Sequence, residues 1–177
     1  MWLEISMICD HLDNEQELIT NLKKKANRFT PSDFMKIRSL MLQSTENLPP
    51  KYRQIYGEDL FRHLYETIEE IKRYNATPQL STFDREDCLE LIQRIDLMQE
   101  EDNEKNRLFA DLAKLTSIYL IFVAGKSLHP LNMEFPGGRK IAKNDNEYYC
   151  PAKNKQKDVE IALCKFCICK DMDEMGE

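Results

Sequence analysis

The sequence predicts a mainly α-helical protein, a bundle of four to five helices followed by a small β-hairpin that carries cysteines. Apolar residues recur at helical spacing along the first 125 residues, and of the five glycines only Gly57 precedes position 125. Four of the six cysteines lie between positions 150 and 169. We therefore divide the chain into a helical body (1–125), a cysteine module (126–170) and an acidic tail (171–177).

The first two helices are predicted from an apolar stripe and from a start signal. The stripe follows Asn14 and consists of Leu18, Ile19 and Leu22. Thr30 can cap the free amides of the second helix, and Pro31 suits its first position. Asp33 favours the positive end of the helix dipole. The buried face of the second helix is expected to comprise Phe34, Ile37, Leu40 and Met41.

Three further helices complete the predicted body. A long helix is expected from about Lys51 to Asn75, with a bend or a new start at Gly57 because glycine is a poor helix former. Asp84 is expected to cap the next helix. The last helix is expected to span Asn103 to Ala124 and to stop at Gly125.

Composition and charge exclude several classes of protein. Hydrophobic residues make up 42% and charged residues 32%, which is typical of a globular chain, and the net charge is −6. The longest apolar run, residues 118–124, is too short to span a membrane, and the acidic N-terminus does not resemble a secretory signal. A cytoplasmic protein without membrane association is expected. No glycine-rich phosphate loop occurs in the sequence, which disfavours nucleotide-driven chemistry.

The helical body offers few candidates for catalysis. His63 and Glu66 are three residues apart on one helical face, and we interpret them as an ion pair rather than as an acid–base or metal-binding pair. Cys88 lies on an apolar stripe, where a cysteine acts as a small buried hydrophobe.

The cysteine module is predicted to form a metal site. A turn at 135–138 precedes a possible strand at 139–143, and a second strand at 147–150 would return the chain to Cys150. Cys164 and Cys167 form a Cys-x2-Cys pair, a spacing at which two thiolates converge on one ion. We expect these three cysteines to be ligands, with either Cys169 or His129 as the fourth.

The ligand set leaves the metal open. Zinc and an iron–sulfur cluster both accept thiolates, and the spacing does not decide between them. Three other uses of the cysteines are disfavoured: disulfides, which are rare in a reducing cytoplasm; free thiols in a short tail; and a redox dithiol, which normally requires a βαβ unit.

Three functions are compatible with this organisation. The first is a metal-binding accessory protein, a helical scaffold that presents the cysteine module to a protein partner. The second is an iron–sulfur enzyme or electron carrier, so enzymatic activity stays open. The third is a zinc module that binds nucleic acid through Tyr148, Tyr149 and Phe166 among lysines. The module has a net charge of +4, but the body (−6) and the tail (−4) would repel phosphates.

The module also resembles a known family. The matching residues are His129-Pro130, 135–138 (FPGG), 148–151 (YYCP), 155–158 (KQKD) and 162–167 (ALCKFC). Together they are similar to an uncharacterised protein family of methanogenic archaea, with a helical N-terminal part and a cysteine-bearing C-terminus. The specific match covers about residues 128–168. The resemblance implies an archaeal, anaerobic, cytoplasmic setting and slightly favours His129 as the fourth ligand; it implies no activity.

Overall fold

The protein is mainly α-helical, as predicted. A computed structural model describes residues 15–75, 84–99 and 103–175. The helices of the body are α1 (Glu15–Ala26), α2 (Pro31–Ser44), α3 (Pro50–Arg53), α4 (Leu60–Arg73), α5 (Arg85–Leu97) and α6 (Glu104–Ile118). The π-helical segment Gln54–Asp59 joins α3 to α4, and a second one, Tyr119–Val123, extends α6.

Helices α2, α5 and α6 begin after residues whose side chains satisfy free backbone amides. Thr30 and Asp33 form a reciprocal capping box at the start of α2, as the Thr30–Pro31 signal predicted. The Asp84 carboxylate accepts the amide hydrogens of Glu86 and Asp87 at the start of α5. Gly125 has φ +56° just after the segment that extends α6, so the predicted helix stop at this glycine is confirmed.

Gly57 marks a close approach between helices. It lies in the π-helical segment Gln54–Asp59, within the long helix predicted from the sequence. A Cβ atom at position 57 would lie 3.0 Å from Thr45 Oγ1 and 3.1 Å from the Leu42 side chain. The expected bend is thus a local widening of the helix, and glycine is present because helix α2 leaves no room for a side chain.

Helix α6 is the centre of the body. It contacts α1, α2, α4 and α5, and residues on all its sides are buried. A helix that is surrounded by others needs small or apolar residues all round rather than on one stripe. Its one buried charge, Lys114, forms an ion pair with Asp96 of α5 at 2.5 Å.

The module contains a three-stranded sheet with the order β1 (Ala142–Asn144), β2 (Glu147–Cys150) and β3 (Lys170–Asp171). Strands β1 and β2 are antiparallel, and β3 pairs with β2 in parallel. The second predicted strand has the observed bounds. The first begins later than predicted, because the turn at 135–138 folds Lys140 and Ile141 back onto Glu134 and Met133.

The acidic segment after residue 170 takes part in this fold. Asp171 is buried, and its carboxylate accepts the amide hydrogens of Asn154 and Asp173 at 3.1 and 2.9 Å. These bonds satisfy a buried charge and tie β3 to α7 (Lys153–Gln156), the short helix that follows β2.

The body and the cysteine module share apolar packing. Leu128 and Phe166 of the module belong to the same buried cluster as the core of the body, and Cys167 contacts both this cluster and the smaller one around Tyr148.

Within the described ranges, every helix falls short of the length and apolarity that a membrane crossing needs.

Candidate metal centre

Strand pairing brings Cys150 and Cys169 together. Cys150 is the last residue of β2, and Cys169 directly precedes β3. The parallel register aligns Tyr149 with Lys170 and Cys150 with Asp171, and both cysteines pack into the smaller apolar cluster. Parallel strands need a long connection, and here residues 151–169 supply it, with Cys164 and Cys167 near its end.

The Cys-x2-Cys segment is a short 3₁₀ turn, Leu163–Lys165, that is held from inside by a lysine. The ammonium group of Lys153 donates hydrogen bonds to the carbonyl oxygens of Cys164 and Cys167, at 2.6 and 2.7 Å. Because Lys153 follows Cys150 by three residues, these two bonds couple the end of β2 to the second cysteine pair.

Helix α5 fixes the other side of the same turn. Arg94 donates a hydrogen bond to the carbonyl oxygen of Ala162 at 2.7 Å and lies over the Phe166 ring at 5.1 Å. Glu90 pairs with both Arg94 and Lys165. The buried Phe166 ring therefore anchors the turn on the body, and charged side chains surround the anchor.

The four module cysteines and His129 line one cavity of about 310 Å³, hereafter the cysteine cavity. The sequence prediction that Cys150, Cys164, Cys167, Cys169 and His129 lie close together is thus compatible with the fold. All four cysteines are free thiols. The expectation that they do not form disulfides with one another agrees with this placement.

Backbone amides point at two of the sulfurs. The Cys150 sulfur accepts hydrogen bonds from the amides of Ala152 and Lys153, but burial still raises the pKa of this thiol. The Cys167 sulfur accepts hydrogen bonds from the thiol of Cys169 and from the amides of Leu128 and Cys169. Donors aimed at sulfur stabilise its charged form. In the case of Cys167 they lower the pKa below that of a free thiol.

The other two cysteines favour the protonated form. The thiol of Cys169 donates to Cys167, and this bond, together with burial, raises the pKa of Cys169. Burial, with the nearby sulfurs of Cys167 and Cys150, raises the pKa of Cys164 to about 11. One thiolate next to three thiols is the arrangement that these interactions favour.

His129 is placed differently from the cysteines. Its ring packs edge-on against Phe135, with 5.9 Å between ring centroids, and desolvation lowers its pKa to about 4. The nearby charge of His63 also lowers the pKa of His129. His129 therefore lies in the wall of the cavity as a neutral ring, whereas the four sulfurs interact with one another.

The predicted His63–Glu66 pair is only a weak feature of the structure. Nε2 of His63 lies 3.1 Å from the carbonyl oxygen of Leu128, to which it donates a hydrogen bond, and desolvation lowers the pKa of this histidine. No ion pair joins it to Glu66 among the described residues.

Cys88 is fully buried in α5, as expected, and it is disulfide-bonded.

In the described ranges 15–75, 84–99 and 103–175, no group of three or more histidine, cysteine, aspartate or glutamate side chains lies in a position to hold a metal ion. The sulfurs share a cavity and interact, but they do not converge on one point.

The aromatic residues proposed for nucleic-acid stacking are largely inaccessible. Tyr148, Tyr149 and Phe166 all have less than a tenth of their surface exposed. Bases need an open ring face, so the feature that favoured nucleic-acid binding is missing from these three residues.

Several residues that build the site were not predicted from the sequence. Lys153, Arg94 and the amide of Leu128 all act on the Cys-x2-Cys turn, and Ser117 of α6 lines the cysteine cavity. Lys153 had a local signal, since it follows Cys150-Pro151 in a tight turn. Arg94 and Ser117 had none, because they reach the module only through tertiary packing.

Comparison with known proteins agrees with the resemblance noted in the module. The chain is 40% identical to a UPF0305 protein of Methanocaldococcus jannaschii over 161 residues, which cover 90% of this chain and 98% of the relative. A UPF0305 protein of Methanococcus maripaludis is 32% identical and covers 92% of this chain and 99% of its own length. A third, from Methanothermobacter thermautotrophicus, is 30% identical over 87% of this chain and 94% of the relative.

No solved structure matches the chain. Residues 14–172 match the family described as uncharacterized protein conserved in archaea (DUF2115), so that the match includes the helices as well as the cysteines. The chain therefore belongs to this archaeal family, DUF2115.

Proposed function

We propose that the protein binds a single zinc ion through the thiolates of Cys150, Cys164, Cys167 and Cys169, and that it acts as a metal-binding accessory protein. The observation that carries the proposal is that these four sulfurs, from three separate segments, line one cavity and interact with one another. Four thiolates around one ion form the closed tetrahedral shell of a structural zinc site.

We propose that the sulfurs converge by rotation of the cysteine side chains, with the backbone kept in place. A cysteine sulfur has three staggered positions about the Cα–Cβ bond. The backbone around the cavity is already held by strand pairing at Cys150 and by Lys153 at Cys164 and Cys167. Zinc binding would replace the thiol protons and would favour the rotamers that point at the ion.

The amide donors support thiolate ligands. Zinc-bound cysteines are deprotonated, and hydrogen bonds from backbone amides disperse the negative charge on sulfur. Cys150 receives two such bonds, from Ala152 and Lys153, and Cys167 receives two, from Leu128 and Cys169. Lys153 adds a positive charge beside the sulfurs.

The contact between Cys167 and Cys169 favours one ion over a cluster. With zinc–sulfur bonds of about 2.3 Å, two ligands of a tetrahedral site lie about 3.8 Å apart, close to the separation of hydrogen-bonded thiols. In a four-iron cluster each cysteine binds a different iron, which spreads the ligands. This contact also favours Cys169 over His129 as the fourth ligand, which reverses the preference implied by the family resemblance.

The metal would have a structural role. It would link β2, the Cys-x2-Cys turn and the start of β3, a region that contains few buried aliphatic residues. The ordered module would then present its surface to a protein partner, as expected of an accessory protein.

Anaerobic purification followed by metal analysis and an absorption spectrum tests the proposal. We expect a colourless protein with one zinc per chain, and strong visible bands after exchange with cobalt(II), as thiolate coordination produces. Cys164→Ser is expected to lose the metal. His129→Ala is the matched control, since it alters the same cavity without removing a sulfur, and it should retain the full zinc content.

Equal zinc content in the wild type and in Cys164→Ser would refute the thiolate site. Failure of the reduced protein to take up zinc on reconstitution would also refute the thiolate site. A brown protein with broad visible absorbance would show that the site holds an iron–sulfur cluster and not zinc. Loss of zinc in His129→Ala but not in Cys169→Ser would show that His129, not Cys169, is the fourth ligand.

A further inference from the structure

The cysteine cavity extends well beyond the sulfurs. Its remaining wall comes mainly from α4 and α6 of the body and is formed by apolar side chains. These include Leu60, Leu64, Phe109, Ala113 and Leu120. The cavity therefore lies between the helical body and the cysteine module, a position at which ligand sites often form.

The volume is sufficient for a small molecule. An apolar cavity of about 150 Å³ in a protein core can hold benzene, and natural ligand pockets begin at about 300 Å³. The cysteine cavity measures about 310 Å³. Two fused rings would fit, with space left for a metal ion among the sulfurs.

Ser117 supplies a polar group to this apolar space. Its side chain lines the cavity and is only 5% exposed, and it has no hydrogen-bond partner in the described part of the chain. Its neighbour Thr116 behaves as serine and threonine usually do in helices, donating to the carbonyl oxygens of Leu112 and Ala113. The Ser117 hydroxyl is therefore open to the cavity and available for a hydrogen bond with a molecule bound there.

The charges around the cavity favour an uncharged ligand. Among the described residues, no acidic side chain lines it and Lys153 is the one cationic group; Lys153 already donates to the carbonyl oxygens of Cys164 and Cys167. An anion would therefore lie beside the cysteine thiolates without a free cationic partner, and any charged molecule would lose its hydration in a largely apolar space.

We propose that the cavity between α4, α6 and the cysteines binds a small uncharged molecule, mainly apolar and about as large as two fused rings. One polar group of this molecule forms a hydrogen bond with the Ser117 hydroxyl. This inference rests on the proposed function for the cysteine wall, where the ligand would lie against the zinc thiolates, and it adds a ligand class to that site.

Calorimetric titration of the reduced, zinc-saturated full chain with indole tests the inference. Indole has two fused rings and one N–H donor, and 1-methylindole is the matched probe that lacks the donor. We expect both to bind at one saturable site. Ser117→Ala should weaken indole binding about 5- to 10-fold, as expected for one hydrogen bond, and leave 1-methylindole binding unchanged.

Ala113→Phe provides the steric test, because a larger side chain on α6 would fill the cavity at a distance from the ligand set. We expect it to abolish the binding of both probes while the zinc content stays at one per chain. Its circular dichroism spectrum and melting temperature establish that it is folded; if it is not, the Ser117→Ala comparison decides.

The inference is overturned if indole shows no saturable binding to the wild type, or if Ser117→Ala affects both probes equally. The titration is repeated on metal-free reduced protein, which separates the two proposals. Indole binding that depends on Ser117 in a chain that takes up no zinc would leave this inference standing and refute the proposed function. One zinc per chain without indole binding would refute this inference and leave the proposed function standing.

Discussion

The helical body packs around the buried helix α6, whereas the cysteine module is held largely by side chains that bind backbone groups. In the body, aliphatic residues from five helices form one cluster. In the module, Lys153 binds two carbonyl oxygens, Asp171 binds two amides, and Arg94 reaches across from the body to a third carbonyl. The apolar cluster of the module is small and includes two of the free cysteines.

This contrast indicates which part of the molecule should depend on a ligand. Burial of apolar surface stabilises the body without any added component. The module orders about 45 residues with little such burial, so loss of a few polar contacts or of a metal should affect it first.

The largest effect is expected in the body. Leu115 is fully buried in the last turn of α6, and Leu115→Ala should lower the free energy of unfolding by about 2–5 kcal/mol because it leaves a cavity in a close-packed core. Denaturant unfolding followed by circular dichroism measures this loss. Leu97→Ala is the control, since the Leu97 side chain is 68% exposed and its removal should change stability by less than about 0.5 kcal/mol.

If body and module depend on different forces, Leu115→Ala should leave the zinc content unchanged at temperatures where the variant is folded. A parallel loss of zinc would show that the two regions unfold as one unit and that the contrast is wrong.

The next effect is expected in the module, on removal of zinc by a chelator. Amide hydrogens of residues 147–171 should exchange about 100-fold faster, the factor expected when zinc is present at about 100 times its dissociation constant. Those of α6 should keep their protection. Hydrogen exchange followed by mass spectrometry measures both regions in one sample. Equal protection of 147–171 with and without zinc would mean that the module does not need the metal.

The smallest effect tests the polar support of the turn. Lys153→Met keeps the aliphatic length but removes the two hydrogen bonds to Cys164 and Cys167, and we expect zinc affinity to fall about 10-fold, as for other residues that support metal ligands. Competition with a chromophoric chelator measures the affinity. Lys155→Met, at an exposed position with no hydrogen bond among the described residues, should have wild-type affinity.

The helices were predictable because their signals are local. Thr30 and Asp84 cap the helices that they were expected to cap, and the turn at 135–138 and strand β2 have their expected places. Strand β3 escaped prediction, because a two-residue strand that pairs in parallel leaves no pattern in the sequence. Strand β1 starts later than predicted because the preceding turn pairs Lys140 with Glu134.

The cysteines that line the cavity can be identified from the sequence, but their environment cannot. Spacing alone picked out Cys150, Cys164 and Cys167, because a Cys-x2-Cys turn brings two sulfurs together whatever surrounds it. The cysteine spacing left Cys169 and His129 as alternatives, and in the structure Cys169 interacts with Cys167 whereas His129 packs against Phe135.

The sequence by itself determined the helices, the family and the set of thiols, since caps, apolar periodicity and cysteine spacing act over a few residues. Long-range packing brings α4 and α6 against those thiols, with Arg94 of α5 on the turn and Ser117 in the cavity wall. The physical reason is distance along the chain: Ser117 and Cys167 are 50 residues apart, and only packing of the whole body against the module brings them into one cavity.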